Sequence, residues 1–367
     1  MSELHEARYY EKLDGERVRC TLCPHACRIP DGGRGACGVR VNHHGVLNTL
    51  VYERIAARHV EPVEKKPFFH VAPGSLAYSI GTVGCNLRCS FCINAEISQW
   101  AIEHVPTRLE WETDDDPAVL CPQLVDVERA IPGERVSPRD IVDAALDCGA
   151  VAVAYTYTEP TIFFELVIET ARLAREAGLL NLLVSNGFTS EAPVRELAAV
   201  VDAANIDLKF ASDTAYRHTS RARLQPILDA IRLYRELGVW LELTTLVIPG
   251  LNDADDELRW IAGFIASLGT EVPWHVSQFH PHYRMQDRPP TPVETLHRAR
   301  QIGGEVGLRY VYEGNVPGAG GENTSCHACG ALLIERWGFV LRSNRIRDGR
   351  CPDCGEAVAG LRLSRDR

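Results

Sequence analysis

Short apolar runs alternate with amphipathic stretches from about residue 75 to residue 313, and this alternation constrains the fold more than any other feature. The apolar runs have the length of strands, and the stretches between them have the pattern of helices. Strand, helix and strand in this order are typical of a parallel sheet with crossover helices. The apolar runs are LAYSI (76–80), AVAVAY (150–155), LLNLLV (179–184), ANIDLK (204–209), VWLELTTLVI (239–248), WHVSQF (274–279) and LRYVY (308–312).

Helix-start and helix-stop signals support the same interpretation. SPRD (137–140) has a capping serine, a proline at the first helical position and an acid at the third. TPVE (291–294) repeats the pattern, and Gly178 and Gly238 are placed to end two other helices. Six or seven such units predict an α/β fold with a partial (β/α) barrel. No GxGxxG motif follows the first strand, which disfavours a dinucleotide-binding sheet.

Polar residues follow nearly every predicted strand. In β/α barrels the carboxyl ends of the strands meet on one rim, where the chemistry takes place. We therefore expect these residues to form one site. They are Cys85, Cys89 and Cys92 after the first strand, Thr158 and Glu159 after the second, Ser185 and Asn186, then Asp207 and Lys209, and finally His280 and Glu313.

The 13 cysteines fall into three groups and two isolated residues, Cys121 and Cys148. Without a visible export signal, such a number indicates metal or redox chemistry rather than disulfides. The middle group is a CxxxCxxC motif (85–92) with three cysteines rather than four. On a four-iron cluster, three thiolates leave one iron without a protein ligand, and an open metal position is typical of reactive sites.

The two outer groups each contain four cysteines, which is typical of closed structural sites. CHACG (326–330) and CPDCG (351–355), separated by 20 residues, predict structural zinc, with an iron–sulfur centre as the alternative. The N-terminal group is consistent with either zinc or an iron–sulfur centre, and three histidines lie close to it in the sequence. The outer groups are Cys326, Cys329, Cys351 and Cys354 near the C-terminus, and Cys20, Cys23, Cys27 and Cys37 near the N-terminus.

Composition narrows the class of protein. No apolar run approaches the 18 or so residues of a membrane span, and the charged first 20 residues do not resemble a signal peptide, so we expect a cytoplasmic protein. The net charge of −10 argues against nucleic acid as a partner. We predict an N-terminal cysteine-rich segment (1–74), a barrel (75–318) and a zinc-ribbon-like segment (319–367). An irregular, acidic insertion at 100–136 is predicted to be a surface loop or lid.

Taken together, these residues resemble the radical S-adenosylmethionine (SAM) enzymes. Blocks along nearly the whole chain are similar to the radical SAM enzyme of the AmmeMemoRadiSam system, a family related to the pyruvate formate-lyase activating enzymes. The blocks are EKKPFFHVAPGS (64–75), the CxxxCxxC loop, YTEPTIFFE (157–165), SNGF (185–188), NIDLK (205–209), TTLVIPGLND (244–253), PWHVSQFHPHYRM (273–285) and GLRYVYEGNVPG (307–318).

The resemblance implies a [4Fe–4S] cluster and SAM as the second cofactor. Zinc in an outer group is the separate expectation from the paired CxxC motifs. It also implies roles for individual residues, with Lys209 and His280 as the residues closest to the chemistry. Those roles are cluster ligation by Cys85, Cys89 and Cys92, an adenine contact by Phe91, binding of the methionine amino group by Thr158 and Glu159, ribose contacts by Ser185 and Asn186, binding of the methionine carboxylate by Asp207 and Lys209, and a contact with the adenosyl end by His280.

Departures from the family pattern are expected to lie on the cluster rim and near the substrate entrance. Ile93 stands where glutamine is expected, Ala95 where a bulky aromatic residue is usual, and Phe210 where the usual residue is small. We therefore expect SAM cleavage to a 5′-deoxyadenosyl radical that abstracts hydrogen from an unidentified substrate. The alternatives are glycyl-radical activation of a protein partner and a non-catalytic multi-zinc interaction module. Expected partners are Memo-like proteins of the same system and an electron donor such as flavodoxin or ferredoxin.

Overall fold

The computed structural model describes residues 4–104, 108–110, 119–121, 131–318 and 320–364. Its centre is an eight-stranded sheet in which seven strands run parallel and follow one another in chain order. The strands are β1 (His5–Glu6), β2 (Tyr10–Lys12), β3 (Val18–Cys20), β4 (Arg28–Ile29), β5 (Arg40–His43), β6 (Val46–Thr49), β7 (Arg54–Ile55), β8 (Ala57–Pro62), β9 (Leu76–Gly81), β10 (Arg108–Glu110), β11 (Val119–Cys121), β12 (Glu134–Arg135), β13 (Ala152–Tyr155), β14 (Leu180–Ser185), β15 (Ala203–Asp207), β16 (Trp240–Val247), β17 (Trp274–Gln278), β18 (Val311–Gly314), β19 (Thr324–Ser325), β20 (Leu332–Trp337) and β21 (Val340–Asn344).

The central sheet has the order β18-β17-β16-β15-β14-β13-β9-β8. β8 pairs antiparallel with β9 and forms one edge, whereas β18 forms the other. The α/β class and the parallel sheet predicted from the sequence are confirmed. The described strands do not close into a barrel, because the edge strands β8 and β18 do not pair with each other.

Helices connect the parallel strands, as the alternating pattern predicts. The helix at 138–147 begins with the expected capping box, since the Ser137 hydroxyl accepts the backbone N–H of Asp140 over 3.2 Å. The described α-helices are Ala95–Ser98, Trp100–Glu103, Pro138–Asp147, Phe164–Glu176, Glu191–Ala198, Asp213–Ser220, Leu224–Glu236, Asp255–Leu268 and Val293–Val306, with short 3-10 helices at Val63–Lys65 and Pro160–Phe163.

The largest hydrophobic core lies between the central sheet and its helices, and it extends into the N-terminal residues. Buried side chains such as Val18 and Val39 belong to the same cluster as Ile80 and Val276 of the sheet. Small antiparallel sheets of order β1-β6-β5 and β2-β3-β4 organise this N-terminal part. The N-terminal cysteines are thereby packed against the same core as the predicted site.

A second, smaller sheet of order β19-β20-β21 carries the C-terminal cysteines. Its core includes Leu333 and Ile334, which cluster with Phe69, Tyr310 and Tyr312. The two cysteine-rich ends therefore each contact the central part of the chain. The boundaries at 74 and 318 stay predictions.

The predicted insertion at 100–136 is described only in part. β10 and β11 pair antiparallel, and β12 pairs with β7. Residues 105–107, 111–118 and 122–130 lie outside the described residues, so the prediction of a loop or lid there is not tested. Within the part of the chain that the structure describes, no helix combines the length and the apolar character needed to cross a membrane.

Candidate functional site

The carboxyl ends of the seven parallel strands lie at one edge of the sheet, because these strands run in the same direction. The CxxxCxxC loop follows β9, and Thr158 and Glu159 follow β13. Ser185 and Asp207 are the last residues of β14 and β15. The topology therefore brings most of the predicted site residues to the same edge.

Each cysteine of the central loop has a hydrogen-bonding group close to its sulfur. Donors of this kind stabilise thiolate ligands and tune the metal that they hold. The neighbours are the backbone nitrogen of Leu87 at 3.4 Å from Cys85, the hydroxyl of Ser220 at 3.3 Å from Cys89, and the hydroxyl of Ser98 at 3.2 Å from Cys92.

The chemistry of these three thiols fits an iron–sulfur cluster. Burial, assisted by Glu159, raises the pKa of Cys85 well above its ordinary value. Burial also raises the pKa of Cys89 to about 11, although Lys209 opposes the shift. Metal binding would therefore have to displace protons from these thiols. Among the described residues, Cys85, Cys89 and Cys92 do not converge to within 4.8 Å, whereas the sulfurs around a single tetrahedral zinc ion lie about 3.8 Å apart.

Glu159 is buried and joins the loops that follow β13 and β14. Its Oε1 accepts hydrogen bonds from the backbone nitrogen of Thr161 at 3.0 Å, the Thr161 hydroxyl at 2.7 Å and the Ser185 hydroxyl at 2.8 Å. Its Oε2 accepts the backbone N–H of Asn186 at 2.8 Å. Burial raises the pKa of this carboxyl, while the hydrogen bonds favour the charged form. These bonds fix the carboxylate in one orientation.

Asn186 connects this carboxylate to the cysteine loop. Its Nδ2 donates to Asn86 Oδ1 over 2.9 Å and lies 3.8 Å from Cys85 Sγ. Thr158 is held differently, because its hydroxyl donates to the carbonyl oxygen of Thr82 over 3.0 Å. Both residues therefore lie beside the CxxxCxxC loop, as the sequence predicts for residues of one site.

Lys209 forms the positively charged side of the site. Its Nζ lies 2.5 Å from the Asp207 carboxylate and 6.0 Å from the centre of the Phe91 ring. Burial opposes the charge, but Asp207 and Cys89 outweigh it and raise the pKa of Lys209. A permanently charged ammonium group beside the cysteine loop can bind a carboxylate of a ligand.

His280 makes no hydrogen bond or ion pair with the other predicted residues in the part of the chain that the structure describes. It follows β17 on the expected edge, but it is exposed and makes no hydrogen bond with the described residues. Its role at the adenosyl end stays a prediction, as do the roles of the other site residues.

The C-terminal cysteines form a compact group whose four sulfurs lie within 4.8 Å of one another. Cys326 and Cys354 are 3.6 Å apart, and Cys329 and Cys351 are 3.8 Å apart. These distances fit the roughly 3.8 Å between sulfurs around a tetrahedral ion with 2.3 Å bonds. The four thiols are therefore arranged for one metal ion, away from the edge that carries the other candidate residues.

Several residues of this region are not among those predicted from the sequence. Gly81 is required because a Cβ atom there would lie 2.6 Å from the carbonyl oxygen of Thr156. Ser220, on a helix distant in the sequence, lies within hydrogen-bonding distance of Cys89. Arg88 occupies one of the variable positions of the CxxxCxxC motif. Only the tertiary fold identifies Ser220. Arg88 could have been singled out as a cation between two cysteines.

Comparisons with known proteins show what this chain is similar to. Residues 79–260 match the radical SAM superfamily. An uncharacterized protein of Methanocaldococcus jannaschii is 40% identical over 358 residues, which span 97% of this chain and 99% of the relative. Pyruvate formate-lyase 1-activating enzyme of Escherichia coli K12 is 22% identical over 242 residues, 62% of this chain and 89% of that enzyme. The crystal structure of Streptococcus suis SuiB bound to S-adenosylmethionine matches with a TM-score of 0.46 and 12% identity, over 68% of this chain and 52% of that one. The chain belongs to the radical SAM superfamily.

Proposed function

We propose that this protein is an enzyme that cleaves SAM reductively and uses the product to remove hydrogen from a substrate. A [4Fe–4S] cluster and SAM are general to the superfamily. Cys85, Cys89 and Cys92 would hold the cluster. When bound, the cluster supplies one electron to the sulfonium of SAM, and the resulting 5′-deoxyadenosyl radical abstracts a hydrogen atom from the substrate. The observation that carries the proposal is the set of three cysteines in the loop after β9, with Glu159 linked to Cys85 through Asn186 and Lys209 close to Phe91.

The charges on the two sides of the cysteine loop suit the methionine part of SAM. Oε2 of Glu159 accepts one hydrogen bond from the described residues, so it retains a lone pair for an ammonium group. Lys209 offers the opposite charge for the carboxylate. The expected result is a SAM molecule oriented by two charged contacts, with Phe91 beside Lys209 as an apolar surface for the adenine.

An apolar side chain at the end of the cysteine loop is exposed. Ile93, the residue after Cys92, has 71% of its surface exposed. An exposed apolar side chain beside the cluster loop is suited to contact with a large substrate. This exposure and the similarity to a pyruvate formate-lyase activating enzyme favour a second candidate function, glycyl-radical formation on a protein partner.

Membership of the AmmeMemoRadiSam system is also a proposal, supported by the sequence blocks at 64–75, 273–285 and 307–318. It carries with it the expectation of Memo-like partner proteins. The source of electrons would be a flavodoxin or a ferredoxin. Zinc is proposed for the C-terminal cysteines, on the sulfur distances given above.

The test is anaerobic reconstitution with iron and sulfide, followed by reduction and addition of SAM. The expected products are 5′-deoxyadenosine and methionine in equal amounts. Cys89→Ala should abolish both products, whereas Cys148→Ala, outside all three cysteine groups, should keep them. Folded wild-type protein that takes up no iron on the central motif and releases no 5′-deoxyadenosine would contradict the proposal and favour a multi-zinc interaction module.

A further inference from the structure

The N-terminal cysteine loop packs directly against the central one. Gly84, which precedes Cys85, approaches the N-terminal loop so closely that a Cβ atom would lie 2.9 Å from the carbonyl oxygen of Cys37. A ring nitrogen of His25 lies 2.7 Å from the carbonyl oxygen of Asn86. Two separate points of the N-terminal loop therefore contact the residues on either side of Cys85.

One guanidinium group also bridges the two loops. Arg88 donates from Nη1 to the carbonyl oxygen of Cys85 over 2.8 Å, and from Nη2 to the carbonyl oxygen of Ala36. Ala36 in turn donates its backbone N–H to Cys27 Sγ over 3.4 Å. A short chain of hydrogen bonds thus leads from a sulfur of the N-terminal group to the backbone of a central cysteine.

A buried positive charge near the N-terminal cysteines lacks a negatively charged partner among the described residues. Arg34 is fully buried, and its Nη1 donates to the carbonyl oxygens of Gly38 and Ala101, but its Nε and Nη2 have no hydrogen-bond partner among the described residues. No described carboxylate pairs with Arg34 or Arg88. A buried, unpaired cation is costly. Arg34 lies beside the N-terminal cysteines, because Gly38, whose carbonyl oxygen it contacts, directly follows Cys37 in the chain.

Ionised thiols would supply the missing negative charge, but burial favours the neutral thiol. Cys20, Cys27 and Cys37 are all buried. A bound metal is what keeps such buried cysteines ionised. The unpartnered nitrogens of Arg34 therefore point to an anionic metal–thiolate centre at this position.

The two outer groups of cysteines differ in how closely their sulfurs converge. The four C-terminal sulfurs lie close enough together to bind a single ion. Among the described residues, the four N-terminal sulfurs do not converge in this way. The central motif shares this wider spacing. A larger centre, with several metal ions, suits both.

We propose that Cys20, Cys23, Cys27 and Cys37 hold a second iron–sulfur cluster that passes electrons to the central cluster. The proposal rests on the function proposed above, since the electron is used there. A low-potential one-electron donor protein reduces the second cluster, which then loses one electron as the central cluster gains one. No bond forms or breaks in this transfer, and no proton is required.

The iron content of variants tests the second cluster without relying on activity. The variant with Cys85, Cys89 and Cys92 all changed to Ala removes the central cluster and leaves the N-terminal cysteines intact. After anaerobic reconstitution we expect about four iron atoms per chain in this variant and about eight in the wild type. Cys148→Ala serves as the matched control and should equal the wild type.

Two contrary results are distinguishable. In the first, the triple variant holds zinc instead of iron and the wild type holds about four irons per chain. This result would overturn the second cluster and leave the proposed function standing. Equal iron in the triple variant and the wild type would overturn the proposed function instead.

The relay is tested by electron paramagnetic resonance of the reduced protein. Two adjacent paramagnetic clusters broaden and split each other's signals, so the wild-type spectrum should differ from the sum of the spectra of the single-cluster variants. One single-cluster variant is the triple variant described above, which lacks the central cluster. The other is Cys23→Ala, which changes the N-terminal cysteine that is not fully buried. A wild-type spectrum equal to that sum would overturn the relay.

Discussion

The backbone N–H of Asn186 donates to the Glu159 carboxylate over 2.8 Å, which joins the residues after β13 to those after β14. The same Asn186 side chain lies 3.8 Å from Cys85 Sγ. A single carboxylate therefore positions two loops and, through one asparagine, the first cysteine of the motif.

Glu159→Gln should both destabilise the protein and weaken SAM binding. An amide places an NH₂ group against N–H and O–H donors, and the unfavourable contact should cost about 1–3 kcal/mol of unfolding free energy. Denaturant unfolding and equilibrium SAM binding measure the two effects. Glu176→Gln, on the exposed face of its helix, is the matched control. Unchanged SAM affinity in Glu159→Gln would contradict the assigned contact.

Lys209→Gln should weaken SAM binding without loss of iron. Hydrogen bonds to charged groups contribute about 1.5–3 kcal/mol, so we expect a roughly 10- to 100-fold higher Kd for SAM. Isothermal titration with the reconstituted protein measures the Kd, and Lys12→Gln, at an exposed position of β2, controls for the change of net charge. Equal Kd values for the two variants would show that Lys209 does not reach the ligand.

Gly84→Ala should disturb the contact between the two cysteine loops. Gly84 has φ +93°, and a Cβ atom would also lie 2.8 Å from a methyl carbon of Val39. Gly149→Ala is the matched control, because Gly149 has φ +69° but open space around its Cβ position. Placing alanine at a positive φ should cost about 1–2 kcal/mol of unfolding free energy in both variants. Gly84→Ala should lose more than this, because its Cβ atom also clashes with the N-terminal loop. Equal unfolding free energies would contradict the close packing of the loops.

The stability of the protein should depend on pH through Glu61. Burial opposes ionisation of this carboxylate, but hydrogen bonds from Lys65, Lys66 and Tyr157 outweigh it and lower its pKa to about 2 from an ordinary value of 4.5. An acid with a lowered pKa contributes stability above the unfolded value and loses it as the pH falls through the folded value.

The wild type should therefore lose its stability advantage over Glu61→Gln as the pH falls from about 4.5 to 2. Denaturant unfolding at several pH values measures the difference between the two proteins. A difference that stays constant across this range would contradict the charged interaction.

Removal of metal from the C-terminal cysteines should loosen β19 to β21. We expect about one zinc ion per chain at Cys326, Cys329, Cys351 and Cys354. Chelation should then raise hydrogen exchange in Leu332–Trp337 and leave β13 to β16 protected, because the small sheet has its own core. Unchanged exchange in this strand after complete removal of the metal would show that the metal does not support it.

The strand pattern was predictable because buried parallel strands are continuous apolar runs. All seven runs correspond to strands of the central sheet, and the capping box at Ser137 is confirmed. The cap predicted at Thr291 is wrong. Its hydroxyl instead donates to the carbonyl oxygen of Val247 over 2.5 Å and accepts the backbone N–H of Phe279 over 2.9 Å. Local sequence could not reveal these long-range bonds.

The candidate site was predictable to the extent that strand direction determines it. Glu159, Lys209 and the cysteines meet because parallel strands end on the same edge. The exposure of His280, and the lack of partners among the described residues for two nitrogens of Arg34, depend on how distant segments pack, which the residue spacing does not encode.

The most direct test of the central claim is Mössbauer spectroscopy of wild-type protein reconstituted with ⁵⁷Fe, before and after addition of SAM. If Cys85, Cys89 and Cys92 leave one iron open, SAM should shift the signal of one iron of that cluster and leave the other three unchanged. The triple Cys→Ala variant should show no response to SAM. A wild-type spectrum unaffected by saturating SAM, or zinc at the central motif, would contradict the account.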